Sequence, residues 1–368
     1  MKNKVKLGDL VNIKTGKLDA NAANNKGKYP FFTTSEETFK IDTYAYDDEA
    51  ILVAGNGNLN VKYFYGKFNA YQRTYILTKK ENIKVNIKYI YYFLDKYLET
   101  LRSVSIGGVI KYIKLENLIN PVLDLPTIEI QNKIVKKLDT LKEVLDMYEK
   151  KINLLSNFNK SLFTTMFGNI KTNDKNWKIK KIGEIVETQY GTSKKASAES
   201  SNGIPILRMN NIKYSGEMDY KDLKYIELSD SEKEKFLLKK GELLFNRTNS
   251  KELVGKTGLF NLDIPMAFAG YLIRIKPSNL IHSKFLLFFM NSEFMKKLLY
   301  NKAKNIVGMA NINAKELEDF SIILPPIELQ NKFAERIEKI EKLKFEIEKS
   351  IEMAQNLYNS LISKYFDN

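Results

Sequence analysis

Leu125-Pro126-Thr127-Ile128-Glu129-Ile130-Gln131-Asn132-Lys133 returns at Leu324-Pro325-Pro326-Ile327-Glu328-Leu329-Gln330-Asn331-Lys332. The match runs on without a gap to Phe167-Gly168-Asn169 and Phe366-Asp367-Asn368, with 15 identities in 45 pairs at a constant offset of 199. Leu-Pro halts a strand, and Glu129 or Glu328 then falls in a first helical turn, where the helix dipole favours a carboxylate. Apolar residues follow at spacings of four and three: Ile134, Leu138, Leu141, Leu145, Tyr148, Ile152, Leu155, Leu162 and Met166, with Asn159 a polar exception. The second copy reads Phe333, Ile337, Ile340, Lys344, Ile347, Ile351, Ala354, Tyr358, Leu361 and Tyr365. Such a stripe over more than four heptads predicts a coiled-coil seam. About 40 residues at 1.5 Å rise make a helix of roughly 60 Å. A rod of that length cannot bury its stripe alone, and the sister arm, equal in length and register, is the expected partner. The alternative is that each helix lies along its own globular block.

A second match opens each half. Leu7-Gly8-Asp9-Leu10-Val11 pairs with Ile182-Gly183-Glu184-Ile185-Val186, and Gly16 with Gly191, at an offset of 175. The chain is therefore predicted as block (1–124), arm (125–169), block (170–323) and arm (324–368), with 24 more residues between the matched opening and the arm in the second half. The blocks read as mixed α/β. In the first, Ala50–Ala54, Lys62–Tyr65 and Tyr71–Thr78 are strand-like, and an amphipathic helix spans Ile87–Leu101. In the second, strands are expected at Ile204–Met209, Glu242–Asn246 and Ala267–Ile275, and a helix at Ser283–Tyr300. Asn56-Gly57, Gly107-Gly108 and Gly191 mark turns. Sheet topology is not legible from this pattern.

The 368 residues suffice for two domains with full cores. No apolar run reaches the roughly 18 residues of a membrane span, and no apolar signal core follows the first residues. With no cysteine there are no disulfides and no thiolate metal ligands. A cytoplasmic protein with no membrane association is expected. Net charge is +15, from 53 Lys and 6 Arg against 44 acidic residues. The two blocks carry +6 and +8, the two arms +2 and −1. A lysine-rich genome would spread the excess evenly; its concentration in the blocks points to a polyanionic partner, with phosphate neutralisation the usual use.

Catalytic parts are scarce. The only Pro-Pro, Leu324-Pro325-Pro326-Ile327, lacks the flanks of an adenine-gripping methyltransferase loop. No Gly-x-Gly loop leads from a strand into a helix, and no Walker lysine motif is present. His282, the sole histidine, cannot build a zinc site without cysteine. Asp47-Asp48-Glu49 reads as a solvated turn before a strand, Ala54-Gly55-Asn56-Gly57-Asn58 as a turn into one, and Glu-x-Gln-x-Lys in each arm as helix capping.

Binding signals are better. Three of the six arginines adjoin residue types that read bases, in Gln72-Arg73-Thr74, Arg208-Met209-Asn210-Asn211 and Asn246-Arg247-Thr248-Asn249-Ser250. Arg makes paired hydrogen bonds to guanine, and Asn or Gln to adenine. Lys251 and Lys256 nearby could hold phosphates. The competing reading is polar strand ends and turns.

These residues give the chain its resemblance to the specificity subunit of Type I restriction-modification systems. It rests on Gly27-Lys-Tyr-Pro-Phe-Phe-Thr33-Thr34-Ser35, Pro205-Ile-Leu-Arg-Met-Asn-Asn211, Leu243-Leu-Phe-Asn-Arg-Thr-Asn-Ser250, Val307-Gly-Met-Ala-Asn-Ile312 and the doubled Leu-Pro-x-Ile-Glu-x-Gln-Asn-Lys, and covers essentially the whole chain. It implies an α+β fold of two similar target-recognition domains joined by two long antiparallel helices, a spacer, with a pseudo-two-fold internal repeat. It implies a non-catalytic subunit that reads a bipartite, asymmetric sequence in double-stranded DNA. Two methyltransferase subunits would bring S-adenosylmethionine, and restriction-translocase subunits ATP and Mg, so this chain itself needs no cofactor or metal. In the first block Thr33, Thr34, Ser35, Asn56 and Asn58 join Gln72 and Arg73 as candidate DNA contacts. That block departs from the pattern, having Ala54-Gly-Asn-Gly-Asn58 where the second has Asn-Arg-Thr-Asn-Ser. Two other classes remain open: a self-contained nuclease or methyltransferase, and a coiled-coil scaffold without a DNA role.

Overall fold

A computed structural model describes residues 3–197, 203–306 and 309–367. The chain divides into two compact units: Met1–Lys151 together with Glu346–Asn368, and Ile152–Phe345. Each unit thus takes the start of one arm and the end of the other. The arms are single helices, Ile128–Phe167 and Ile327–Phe366.

In the first unit eight strands precede the first arm: β1 (Asn3–Lys6), β2 (Val11–Thr15), β3 (Tyr29–Phe32), β4 (Phe39–Ile41), β5 (Tyr46–Ala54), β6 (Val61–Ala70), β7 (Thr74–Lys79) and β8 (Val122–Leu125). Six form one sheet in the order β2-β7-β5-β6-β3-β4, and β1 pairs with β8. All neighbours are antiparallel except β3 and β6. Ala50–Ala54 is buried throughout because the sheet is covered on both faces. Alternation along β5 sends Ile51 and Val53 to the larger core and Ala50 and Leu52 to a smaller one with Phe32 and Phe68. The helix Ile87–Val104 closes the larger core with Ile87, Ile90, Leu94, Leu98 and Leu101, one face at helical spacing. Its N-cap Asn86 accepts hydrogen bonds from the Lys88 and Tyr89 amides. Ile134, Val135 and Leu138 of the first arm and Tyr358, Ile362 and Phe366 of the second enter this same core.

The second unit repeats the plan with β9 (Lys178–Lys181), β10 (Val186–Tyr190), β11 (Ile204–Leu207), β12 (Lys224–Ile226), β13 (Leu243–Asn246), β14 (Thr248–Asn249), β15 (Thr257–Leu259), β16 (Ala267–Phe268), β17 (Leu272–Pro277), β18 (Lys304–Ile306), β19 (Met309–Asn311) and β20 (Ser321–Leu324). The first unit's large sheet corresponds here to two, β10-β17-β13-β15 and β12-β11-β16; β9 pairs with β20, and β14-β19-β18 forms a small sheet where the first unit has only the isolated bridges Ile106–Tyr112 and Asn56–Tyr112. Leu162, Phe163 and Phe167 of the first arm and Phe333 and Ile337 of the second share its main core. The end of one arm therefore lies with the start of the other in both units. Burying each Leu or Phe there is worth about 1.5–3 kcal/mol.

The doubled glutamine is the hinge pin of each unit. Gln131 is 1% and Gln330 0% exposed. Gln131 Nε2 donates to Pro126 O (2.8 Å) and its Oε1 accepts from the Asn86 amide (2.9 Å). Gln330 does the same with Pro325 O (2.8 Å) and the His282 amide (2.8 Å). Asn86 and His282 each cap the helix that packs on the sheet. One side chain thus joins the Leu-Pro stop, the arm and the sheet-covering helix, so the repeated motif links elements rather than merely capping the arm.

The seam positions are all buried or half-buried: Ile134, Leu138, Phe333, Ile337, Ile347 and Tyr358 fully, Leu141, Leu145, Ile152, Leu155, Ile340 and Ile351 in part. Lys344, the polar member of the second stripe, forms an ion pair with Glu217 from a loop of its own unit. Several strand and helix bounds differ from expectation. Asp47-Asp48-Glu49 is no solvated turn but the start of β5, paired with Lys67, Gly66 and Tyr65, and Glu49 accepts a hydrogen bond from Tyr63 (2.8 Å). Tyr71–Thr78 and Ala267–Ile275 are interrupted by a turn, because the chain passes Gly16 and Gly191 there. A Cβ on Gly16 would lie 2.2 Å from Ala70 O, and one on Gly191 2.3 Å from Ala269 O. Ser283–Tyr300 is two helices, Ser283–Met290 and Glu293–Lys302, divided where Asn291 turns back to donate to Thr257 O (2.8 Å) and Ser292 caps the second.

Candidate nucleic-acid interface

Backbone hydrogen bonds gather five loops at one place in each unit. In the first, Tyr71 N–H donates to Phe32 O, Gln72 N–H to Leu18 O, Gly55 N–H to Arg73 O, Ile113 N–H to Gly55 O and Gly57 N–H to Lys111 O, all at 2.9 Å. In the second, Ala269 N–H donates to Leu207 O (2.9 Å), Thr192 N–H to Phe268 O (3.0 Å), Arg247 N–H to Tyr271 O (3.0 Å) and Ile312 N–H to Arg247 O (3.0 Å). Three bonds correspond in donor and acceptor, Tyr71–Phe32 with Ala269–Leu207, Gly55–Arg73 with Arg247–Tyr271 and Ile113–Gly55 with Ile312–Arg247, so Gly55 stands where Arg247 does, and Arg73 where Tyr271 does. One scaffold carries different side chains.

In the first cluster Gln72, Arg73 and Asn58 are exposed, Thr34, Ser35 and Asn56 half-buried and Thr33 buried. Asn58 Nδ2 donates to Glu36 (2.7 Å), and Asn60 Nδ2 to Thr34 O (2.9 Å), so the Thr33–Glu36 and Gly55–Asn60 loops are held together. Lys62 donates to Ser35 O; burial lowers its pKa while the charge of Glu36 raises it. Thr33 Oγ1 accepts from the Ser35 amide (3.2 Å), which fixes the loop rather than facing outward.

In the second cluster the Arg247 guanidinium lies 5.0 Å from the centre of the Tyr190 ring, and its Nη2 donates to Asn311 Oδ1 (3.3 Å). Asn311 is itself anchored by donating to Thr248 Oγ1 (2.7 Å). Lys251 Nζ sits 4.6 Å from the Tyr300 ring centre. Such cation–π contacts orient a charge at little desolvation cost. Arg247, Asn249, Ser250 and Lys251 are half-buried and Asn210 is exposed. Arg208 donates from Nη2 to both Asp222 O and Asp222 Oδ2, at 3.0 Å each, and Asn210 Nδ2 to the same carboxylate (3.3 Å).

Four expected contacts of this unit are placed inside instead. Lys256 is 7% exposed and spends its ammonium on Met209 O (2.9 Å) and Ile212 O (2.6 Å); burial lowers its pKa. It braces the Arg208–Asp222 loop and offers no phosphate contact. Asn211, 2% exposed, accepts from the Arg208 amide (2.9 Å) and donates to Asp219 O (2.9 Å). Asn246 is fully buried and faces Lys256 across the β13–β15 ladder, while Thr248 is 7% exposed. Lys256, Asn211 and Thr248 hold the loops around Arg247. The sequence did not single out Tyr190, Tyr271 or Asn311; their only signal was neighbourhood, Tyr190 preceding the matched Gly191 and Asn311 lying in the Val307–Ile312 run. Among the described residues no group of three acidic or histidine side chains could hold a metal, and no helix is long and apolar enough to cross a membrane.

The Type I restriction modification DNA specificity domain family matches residues 2–157 and 174–354. The EcoDI specificity subunit of Escherichia coli is 42% identical over 137 residues, 37% of this chain and 30% of that protein. The EcoKI specificity subunit of Escherichia coli is 28% identical over 73% of this chain and 62% of its own length. The chain thus spans less than two thirds of these two relatives. The MjaVIII specificity subunit of Methanocaldococcus jannaschii is 24% identical over 96% of this chain and 91% of its own. Among solved structures, a Type I restriction-modification S subunit from M. genitalium has the same fold, with a TM-score of 0.68 at 16% identity, covering 100% of this chain and 96% of that one.

Proposed function

The chain belongs to the Type I restriction modification DNA specificity family, and from that membership we propose that it reads a two-part, asymmetric sequence in double-stranded DNA and seats partner subunits on it. Specificity subunits are non-catalytic, and the catalytic activities lie in partner subunits. The observation that carries the reading is the shared scaffold with unlike side chains: Gly55 and Arg73 in one unit, Arg247 and Tyr271 in the other. Equal scaffolds hold the duplex in equal ways, and unlike side chains read unlike bases. Blocks 1–124 and 170–323 are the two readers, and arms 125–169 and 324–368 the spacer that separates their half-sites.

Two methyltransferase subunits supply S-adenosylmethionine and extrude the target adenine, since this chain has no pocket motif for a flipped base. Restriction-translocase subunits supply ATP and Mg chemistry, and the assembly works in the cytoplasm. A second apolar stripe on each arm suits docking of the methyltransferases. Leu154 and Phe158 are 66% and 53% exposed, and Met353 and Leu357, their equivalents at the offset of 199, are 66% and 50% exposed. The test is a genome-wide map of methyl-adenine with and without this gene. Loss of one bipartite motif with unlike halves is expected; unchanged methylation rejects the proposal. Methyl transfer or cutting by the pure chain would assign it to a self-contained enzyme instead.

A further inference from the structure

Beside the reading loops of the first unit stands a hairpin with a bare apolar tip. Ile106 N–H donates to Tyr112 O (3.0 Å) and Tyr112 N–H to Ile106 O (2.8 Å). The turn between them is Gly107-Gly108-Val109-Ile110-Lys111, with Gly107 at φ +114°. Val109 is 104% exposed and Ile110 62%. The stalk is fastened to the reading loops by the Gly57–Lys111 and Ile113–Gly55 backbone bonds, beside Asn56 and Asn58. Lys111 and Lys114 flank it and are exposed. In the second unit the strands β18 and β19 form the corresponding hairpin, fastened through Ile312 to Arg247. Its Met309, 39% exposed, is the equivalent of Ile110.

The bare tip of Val109 and Ile110, with Ile106 and Tyr112 42% and 41% exposed on the stalk, is still far short of a stable protein interface, which buries about 800 Å² per partner over 20–30 residues. It matches the one or two aliphatic side chains that DNA-bending proteins insert between base pairs. The flanking lysines suit the phosphates on either side of such a step. We infer that the Ile106–Tyr112 hairpin is a wedge whose Val109 and Ile110 enter a base step next to the half-site read by the first unit. The inference rests on the DNA-reading function proposed above. By partly unstacking the duplex, the wedge lowers the cost of extruding a neighbouring base for modification.

The test uses the full chain with its methyltransferase partner and a double variant, Val109→Ser with Ile110→Ser, at positions too exposed to unfold the unit. Affinity is measured for the target duplex and for a series with one mismatched pair stepped across the half-site and its flanks, with 2-aminopurine fluorescence at each step. The variant is expected to bind the intact target about tenfold more weakly. One mismatch position restores it to the wild-type level, because that step is already unstacked, and the wild-type rise in fluorescence at that step is lost. Equal weakening on every duplex, no weakening on the intact one, or loss of the methyltransferase from the complex each overturns the wedge. A wild-type complex that binds scrambled DNA as tightly as its target overturns the reading function itself, whatever the variant does.

Discussion

Removing the Gln330 side chain should unfold the second unit early and leave the first alone. Gln330→Ala deletes the acceptor of the His282 amide and the donor to Pro325 O, with a longer bond to Leu280 O (3.2 Å) lost as well. Each ordinary hydrogen bond contributes about 0.5–1.5 kcal/mol net, and a buried group left without a partner costs about 1–3 kcal/mol. With the His282 amide only partly buried, the total is about 2–4 kcal/mol. At a urea slope of about 2 kcal/mol per M, the midpoint falls by about 1–2 M. The single tryptophan makes the assay specific. Trp177 lies in the second unit, its Nε1 donating to Phe167 O (2.8 Å), so its fluorescence reports that unit alone. Gln131→Ala should shift the circular-dichroism transition of the first unit and leave the Trp177 transition in place. Asn331→Ala, at the exposed neighbouring position, is the control. A Gln330→Ala midpoint within about 0.3 M of that control would refute the pinning role, since it corresponds to well under 1 kcal/mol.

Arg247→Ala should relax selectivity at one base pair by about 1–3 kcal/mol, whereas Lys251→Ala should weaken binding to all sequences alike and lower the salt slope by about one; competition binding at two salt concentrations separates them. Gly191→Ala places a Cβ 2.3 Å from Ala269 O and should cost about 1–3 kcal/mol or more, seen as a fall in the Trp177 unfolding midpoint. Glu217 has its pKa held down by the hydrogen bond from Lys344 and by the charges of Lys344 and Lys213. The stability it contributes is present above its unfolded value of 4.5 and is lost as pH falls through the lower folded value. Lys344→Leu, the residue type at the equivalent Leu145, should remove that acid-sensitive part, under about 1 kcal/mol because the pair is half-exposed; urea titrations at pH 7 and pH 3 check it.

The arms were legible because a heptad stripe and its repetition depend only on local periodicity. The sheet-covering helix of the first block was legible for the same reason, starting at Ile87 as expected and running three residues further, to Val104. The interruptions were not. The breaks at Tyr71–Arg73 and Ala269–Tyr271 come from close passage of Gly16 and Gly191, a tertiary contact that no local pattern encodes. The Asn291-Ser292 division carried a cap signal, but a strongly apolar run on its N-terminal side masked it. For the interface, residue type marked the right loops, while burial sorted their members. Lys251 and Lys256 look alike in sequence, yet one lies over the Tyr300 ring and the other is sealed beneath Met209 and Ile212.

The first unit is completed by residues made after the body of the second. Its body ends at Lys151, but Tyr89 meets Phe366 at a ring separation of 5.0 Å, and Tyr358 and Ile362 fill the same core. Residues 152–345 must be translated in between, on the order of ten to forty seconds at 5–20 residues per second. Throughout that interval the nascent first unit exposes an oily cleft to chaperones and proteases. A product truncated between Glu346 and Tyr358 therefore carries one finished unit and one left open.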